Sequence, residues 1–168
     1  MTCITGNGKY FELSPEDADL AQYDWTAVCI RGKYWYVSRR SRPGRMAPKI
    51  FLHRVILARI FPKLAIAISG LMADHINGDG LDNRRENLRV TTRTQNRHNS
   101  GPDRTSTSNY RGVHWNGNRK QWVARIRANK KDHFLGYFDD KHAAARAWNN
   151  KATEFYGEFA KLNVIKYA

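Results

Sequence analysis

Residues 73–99 read ADHINGDGLDNRRENLRVTTRTQNRHN, and the way this stretch turns back on itself decides the fold. Asp74 and His75 end a short apolar run over 70–73. The segment 77–83, NGDGLDN, consists almost wholly of turn-favouring residues and predicts a long loop. Over 88–91, LRVT, the chain alternates as a short strand does, and Thr92 is placed to cap a helix running to Asn99. A strand, loop, strand and helix in this order return Asp74 and His75 against the helix that carries Asn96. One carboxylate and one amide oxygen make a hard, oxygen-rich site suited to Mg²⁺ or Mn²⁺. The adjoining imidazole titrates near neutrality and is the natural base for a water nucleophile. Sequence does not set helix register to one residue, so His98 and Asn99 stand beside Asn96 as alternative helix ligands. Asp82 and Asn83 read as loop-formers.

Upstream, residues 1–70 read as a basic N-terminal part of the same module as the 71–99 motif. A helix is predicted to open at Ser14-Pro15-Glu16 with Ser14 as its cap, followed by an aromatic strand near 34–39. A second helix near 51–61 places Leu52, Val55, Ile56 and Ile60 on one face. His53 lies in that helix, and its spacing assigns it no role beyond a structural one. A zinc site built from His53, His75 and His98 has no ligand spacing behind it.

Downstream, 100–109 (SGPDRTSTSN) offers nothing to pack and reads as a linker, leaving 110–168 as a second domain. Its first half predicts a three-stranded antiparallel sheet. In QWVARIRA, Trp122, Ala124 and Ile126 point one way, and Gln121, Val123, Arg125 and Arg127 the other. A helix from Asp140 to Tyr156, stopped by Gly157, would cover the apolar side with Ala144, Ala147, Trp148, Ala152 and Phe155. The arginine side is then exposed, and a β-ribbon of this kind fits the DNA major groove.

The charge points the same way. Across 168 residues, 29 Lys and Arg against 15 Asp and Glu give +14, which favours a polyanionic partner through release of phosphate counterions. Between Trp25 and Ala73 there is no acidic residue but there are ten basic ones, among them Arg39, Arg40, Arg42 and Arg45, expected to lie along phosphates. No amphipathic helix with a large apolar face accompanies that run, so a membrane surface is not the expected partner. Cys3 and Cys29, the only cysteines, provide no disulfide framework or zinc ribbon. The first seventeen residues carry no targeting pattern, so a reducing cytoplasm is expected.

The DH pair, LDNRRENLR and QNRHN together resemble the ββα-metal motif of HNH homing endonucleases, particularly the free-standing and intron-encoded phage type. The resemblance implies Asp74 and Asn96 as metal ligands, His75 as general base and Asn87 as the residue that holds the loop and orients His75. It implies hydrolysis of a DNA phosphodiester in a phage-encoded protein of the host cytoplasm. YRGV, the WARIR strand, LGYF, the AAARAW helix and a closing AKLN resemble the APETALA-type, ethylene-response-factor DNA-binding domain. That likeness implies DNA contacts from Arg111, His114, Gln121, Arg125, Arg127 and Phe134. Arg125 stands where plant domains usually carry Glu, and His114 where they carry Arg, so their base preference does not transfer. The expected protein is α+β: an HNH nuclease module plus a three-stranded antiparallel sheet packed on one helix. It would act as a monomer on double-stranded DNA with one divalent ion. The rival reading is a non-catalytic DNA-binding regulator that uses the HNH unit as scaffold. An RNA-binding protein would need an exposed aromatic stacking platform, which the pattern does not predict.

Overall fold

In the computed structural model the described residues are 1–44, 46–63, 70–100 and 106–165. The architecture is mixed α/β, with short sheets and few helices, and the chain divides into two compact units, Met1–Asn96 and Arg97–Ala168. Among the described residues, no helix is long and apolar enough to cross a membrane.

In the first unit, β1 (Thr2–Ile4) pairs antiparallel with β2 (Tyr10–Leu13). A second sheet runs β3 (Thr26–Ile30), β4 (Tyr34–Arg40), β5 (Lys49–Phe51) and leads into α1 (Leu52–Ile60). A two-stranded ladder joins β6 (Met72–His75) to β8 (Leu88–Thr91), with Asp74 opposite Arg89 and His75 opposite Leu88. Between them lies β7 (Asp82–Asn83), which adds in parallel to β2, Glu12 against Asp82 and Leu13 against Asn83. The predicted loop therefore contains a strand, because its partner comes from about seventy residues upstream and no local pattern announces it. Phe11, Leu13, Leu20, Trp25, Val37, Leu52, Ile56, Leu57 and Leu88 form the core of the unit. The buried face of α1 is Leu52, His53, Ile56 and Leu57, one step round from the predicted stripe, and Val55 and Ile60 are only partly covered.

The helix predicted at Ser14 is a 3₁₀ segment, Pro15–Gln22; Ser14 stands at its N-cap position, but its side chain makes no capping hydrogen bond. Instead the Ser14 Oγ accepts the Arg85 N–H at 2.8 Å, a tie from a distant segment that a local cap rule cannot foresee. Asp17, fully buried in that segment, accepts from Arg85 Nε at 2.6 Å and Nη2 at 2.9 Å and from Arg59 Nη1 at 3.2 Å. One carboxylate thus ties the N-terminal segment to α1 and to the turn before β8. Asp17→Ala is expected to destabilise the first unit by about 3 kcal/mol. That is the low end for a buried pair, since both guanidiniums reach solvent. A thermal melt of the full chain checks this, and an unchanged first transition would refute it.

α2 (Arg93–His98) follows β8. Its start carries a reciprocal capping box, Gln95 N–H donating to Thr92 Oγ1 at 3.2 Å and Thr92 N–H to Gln95 Oε1 at 2.8 Å, as the TxxQ spacing predicts.

The second unit is a sheet in the order β11 (Lys131–Phe138), β10 (Gln121–Ala128), β9 (Val113–Asn116), packed on α3 (Lys141–Tyr156). Asp140 caps α3 by accepting from His142 N and Ala143 N, and Gly157, at φ +54, ends it. Ala144, Ala145, Trp148, Ala152 and Tyr156 are buried against Val113, Ala124, Ile126 and Ala128. Ala145 and Tyr156 thus replace the predicted Ala147 and Phe155 in the most buried row. The closing Asn163 accepts from Arg111 N at 2.7 Å and donates to Arg111 O at 3.2 Å, fastening the end of the unit to its start. Part of the segment read as linker is packed: Ser108 is buried, donating to Val113 O at 2.7 Å and accepting from Tyr110 N at 3.0 Å. Residues 101–105 lie outside the described residues.

Candidate active site and nucleic-acid interface

The loop from β6 to β8 is built from side chains standing in for backbone. Asn77 Oδ1 accepts from Asp79 N at 2.8 Å, and Asp79 Oδ1 from Leu81 N at 2.9 Å, two successive Asx turns. Asn87 braces the two ends of the loop: its Oδ1 accepts from Asn77 N at 3.0 Å, and its Nδ2 donates to Asp82 O at 2.7 Å and Asn77 Oδ1 at 3.1 Å. Its own carbonyl takes the Ile76 N–H at 2.8 Å, holding the backbone next to His75. Gly80 allows the loop to lie on β4, because a Cβ there would fall 2.1 Å from Trp35 O and 2.8 Å from the Tyr36 ring.

His75 is buried at the end of β6, and the side chain that holds it is Asn83, whose Oδ1 lies 3.3 Å from Nε2. The Asn83 amide nitrogen is committed to Leu81 O at 3.1 Å and Gly80 O at 3.4 Å, so its oxygen faces the imidazole. An amide oxygen only accepts, so Nε2 carries the proton and Nδ1 the lone pair. Burial lowers the His75 pKa below its ordinary value, against the Asn83 hydrogen bond and the charges of Asp74, Asp79 and Asp82, which raise it. The ring is therefore neutral at pH 7. Asn83, read from sequence as a loop-former, lies against His75; the signal that could have found it was the DN step returning toward the DH step.

Asp74, also buried, accepts from Arg89 Nε at 3.0 Å, its cross-strand neighbour. Asn96, on α2, lies with its Nδ2 3.8 Å from Met72 Sδ, two residues before Asp74 on the same face of β6. Among the described residues no three His, Cys, Asp or Glu side chains form a group that could hold a metal. A carboxylate and an amide oxygen fit a hard divalent ion that keeps water and substrate oxygens as its other ligands. Of the alternative helix ligands, His98 is stacked on Tyr156 within the second unit, 3.7 Å between ring centroids and 12° between planes, and Asn99 is buried.

The basic N-terminal stretch is only partly available. Arg39 lies over the Tyr23 and Trp25 rings at 4.6 and 5.6 Å, and Arg40 donates to Ala47 O at 2.9 Å. With Arg42 they line a cleft of about 570 Å³ beside Tyr23 and Asp24. Arg45 lies outside the described residues.

On the second unit, pairing of Val123 with both His114 and Tyr137, and of Arg125 with Phe134, puts these residues on the sheet face away from α3, with Gln121 and Arg127 in alternation. Arg125 lies over Phe134 at 5.9 Å and Arg119 over Tyr137 at 4.5 Å, adding Arg119 and Tyr137 to the face read from sequence. Arg127 is paired with Asp132 at 2.9 Å, both exposed. Arg111 differs from the others: its guanidinium donates to the carbonyls of Arg97, His98 and Ser100 at 2.5–2.9 Å and lies 5.3 Å from the Trp148 ring centre.

Residues 51–98 match the family described as HNH endonuclease, HNH_3. The chain is 29% identical over 82% of its length to a protein of Acanthamoeba polyphaga mimivirus named "Uncharacterized HNH endonuclease L560", covering 71% of that protein. It is 28% identical over 55% of its length to "Protein 3.8" of Escherichia phage T7, covering 76% of it. Over 39% of its length it is 40% identical to the Arabidopsis thaliana "AP2-like ethylene-responsive transcription factor TOE2", covering 13% of that protein. No solved structure matches.

Proposed function

We propose that this protein is a site-specific, sequence-tolerant DNA endonuclease of the homing type, in which His75 is the general base. The observation that carries the reading is the buried His75, its Nε2 held 3.3 Å from Asn83 Oδ1, one residue from the buried Asp74 carboxylate. The HNH family match over 51–98 supports a nuclease acting on DNA. Nδ1 of His75 takes the proton of an attacking water, the loop braced by Asn87 keeps that nitrogen in place, and the phosphodiester is hydrolysed. Asp74 and Asn96 would hold one divalent ion, Mg²⁺ or Mn²⁺, which when bound supplies neutralisation of charge on the phosphate and on the leaving oxygen. Arg89 neutralises Asp74 from the adjoining strand and keeps the carboxylate oriented.

The second unit reads the duplex. His114, Gln121, Arg125, Arg127 and Phe134 contact bases and backbone from the outer sheet face, and Arg39, Arg40, Arg42 and Arg45 add phosphate contacts. Arg111 serves this face indirectly, by holding the carbonyls at 97–100. Two weak binding surfaces on one chain give usable affinity through effective concentration, so a monomer suffices.

The test is cleavage of supercoiled plasmid and phage DNA by the full chain with Mg²⁺ or Mn²⁺, with and without EDTA, against Asp74→Ala. Metal-dependent cleavage by the wild type, abolished by chelation and by Asp74→Ala while DNA binding remains, is the expected result. Tight binding without cleavage of any substrate would replace the reading with a DNA-binding regulator.

A further inference from the structure

His53 is the second residue of α1, set between Leu52 and Ile56 on the face turned to the core. It is only 6% exposed, and its Nδ1 has no hydrogen-bond partner among the described residues. Leucine or phenylalanine would meet the packing demand there without a stranded polar atom, whose burial costs about 1–3 kcal/mol. Burial pushes its pKa down to about 3, with the neighbouring His75 and Arg54 charges adding to the effect, so the ring is neutral.

The His53 ring meets His75 nearly perpendicular, centroids 5.0 Å apart and planes at 76°. It is itself set by Phe51, stacked at 5.6 Å, and by Tyr36 at 5.7 Å, and Tyr36 also touches His75 at 6.0 Å. These contacts complete what the Asn83 hydrogen bond leaves undone. The Asn83 hydrogen bond bears on Nε2 and not on the plane of the ring. A perpendicular ring against it removes the remaining rotation.

We propose that His53 is a positioning residue for the reaction: it fixes the plane of the His75 imidazole, and with Asn83 determines where Nδ1 is aimed. The proposal rests on the reading of His75 as general base, and its effect on catalysis passes through His75 alone.

The test uses the full-length protein with His53→Leu, which fills the space without a planar polar ring, His75→Ala, and the double variant. His53→Leu is expected to melt at or above the wild-type temperature and to bind DNA as the wild type does. Its kcat should fall about 10- to 100-fold with KM unchanged, the size expected from a small misplacement of a reacting group. Added to His75→Ala it should cost nothing further, since the two residues act as one unit. Nitrogen chemical shifts of the His75 ring give a readout that needs no cleavage: one tautomer, Nε2–H, in the wild type, and a mixture in His53→Leu, where the ring tilts off the Asn83 oxygen that selects the tautomer. A kcat within twofold of wild type, a loss that follows the melting temperature, independent effects in the double variant, or an unchanged tautomer would each overturn it. A wild type that cleaves nothing but whose His75 tautomer depends on His53 would sink the nuclease reading and leave the positioning intact.

Discussion

His75→Ala is expected to lower the rate of DNA cleavage by about 10²- to 10⁴-fold, the range for removing a positioned general base. Binding of the same DNA should be unchanged, because the imidazole is mostly buried, and the outer face of the second unit and the basic N-terminal stretch lie elsewhere in the sequence. The measurement is single-turnover cleavage beside a binding titration at one ionic strength, since salt alone alters affinity for DNA. Asn83→Ala should act in the same direction but less severely: the imidazole remains, and only the bond that selects its tautomer is lost. A His75→Ala variant that cleaves within a few-fold of wild type would remove His75 from the chemistry.

Gly112→Ala is expected to have the largest effect on folding. Gly112 sits at φ +70 just before β9, and its carbonyl accepts the Arg125 N–H at 2.8 Å. A Cβ there would lie 2.1 Å from Trp148 Nε1 and 2.5 Å from Arg125 O. Trp148 is fully buried between α3 and the sheet, and Arg125 O belongs to the central strand, so neither can yield cheaply. The left-handed conformation costs about 1–2 kcal/mol for a residue with a Cβ, and overpacking about 1–3 kcal/mol more. A unit this small has roughly 5 kcal/mol of stability in all, so the second unit should be largely unfolded near body temperature. The full-length variant would then lose one melting transition and bind DNA much more weakly, keeping the transition of the first unit. Retention of both transitions at wild-type temperatures would refute the argument.

Elements governed by near neighbours were legible from the residues alone. The capping box at Thr92 and Gln95, the alternation in QWVARIRA and the span of α3 from Asp140 to Gly157 all depend on contacts a few residues apart, which sequence spacing encodes directly. The grouping of Asp74, His75 and Asn87 about one loop was legible for the same reason, since the turn residues of 77–83 leave the chain little choice but to return. The Ser14 cap was misread because a serine before proline satisfies the local rule while its hydroxyl is used by Arg85. The α1 stripe was misplaced by one step because His53 does not count as apolar in a periodicity pattern, though it is buried on the same face as Leu52, Ile56 and Leu57.

The amino-acid sequence by itself determined the turns, caps and alternating strands, the sign and location of the charge, and the residue types available for chemistry at the DH step. Only the tertiary structure decided that β7 joins β2, that Asn83 rather than a nearer residue holds His75, that Arg111 is spent on its own chain's carbonyls, and that His53 closes on His75. The physical reason is range: caps and turns are settled by energies between residues adjacent in the chain. The partner of a buried polar group is settled by whichever distant segment desolvates it, and that choice belongs to the packed core as a whole.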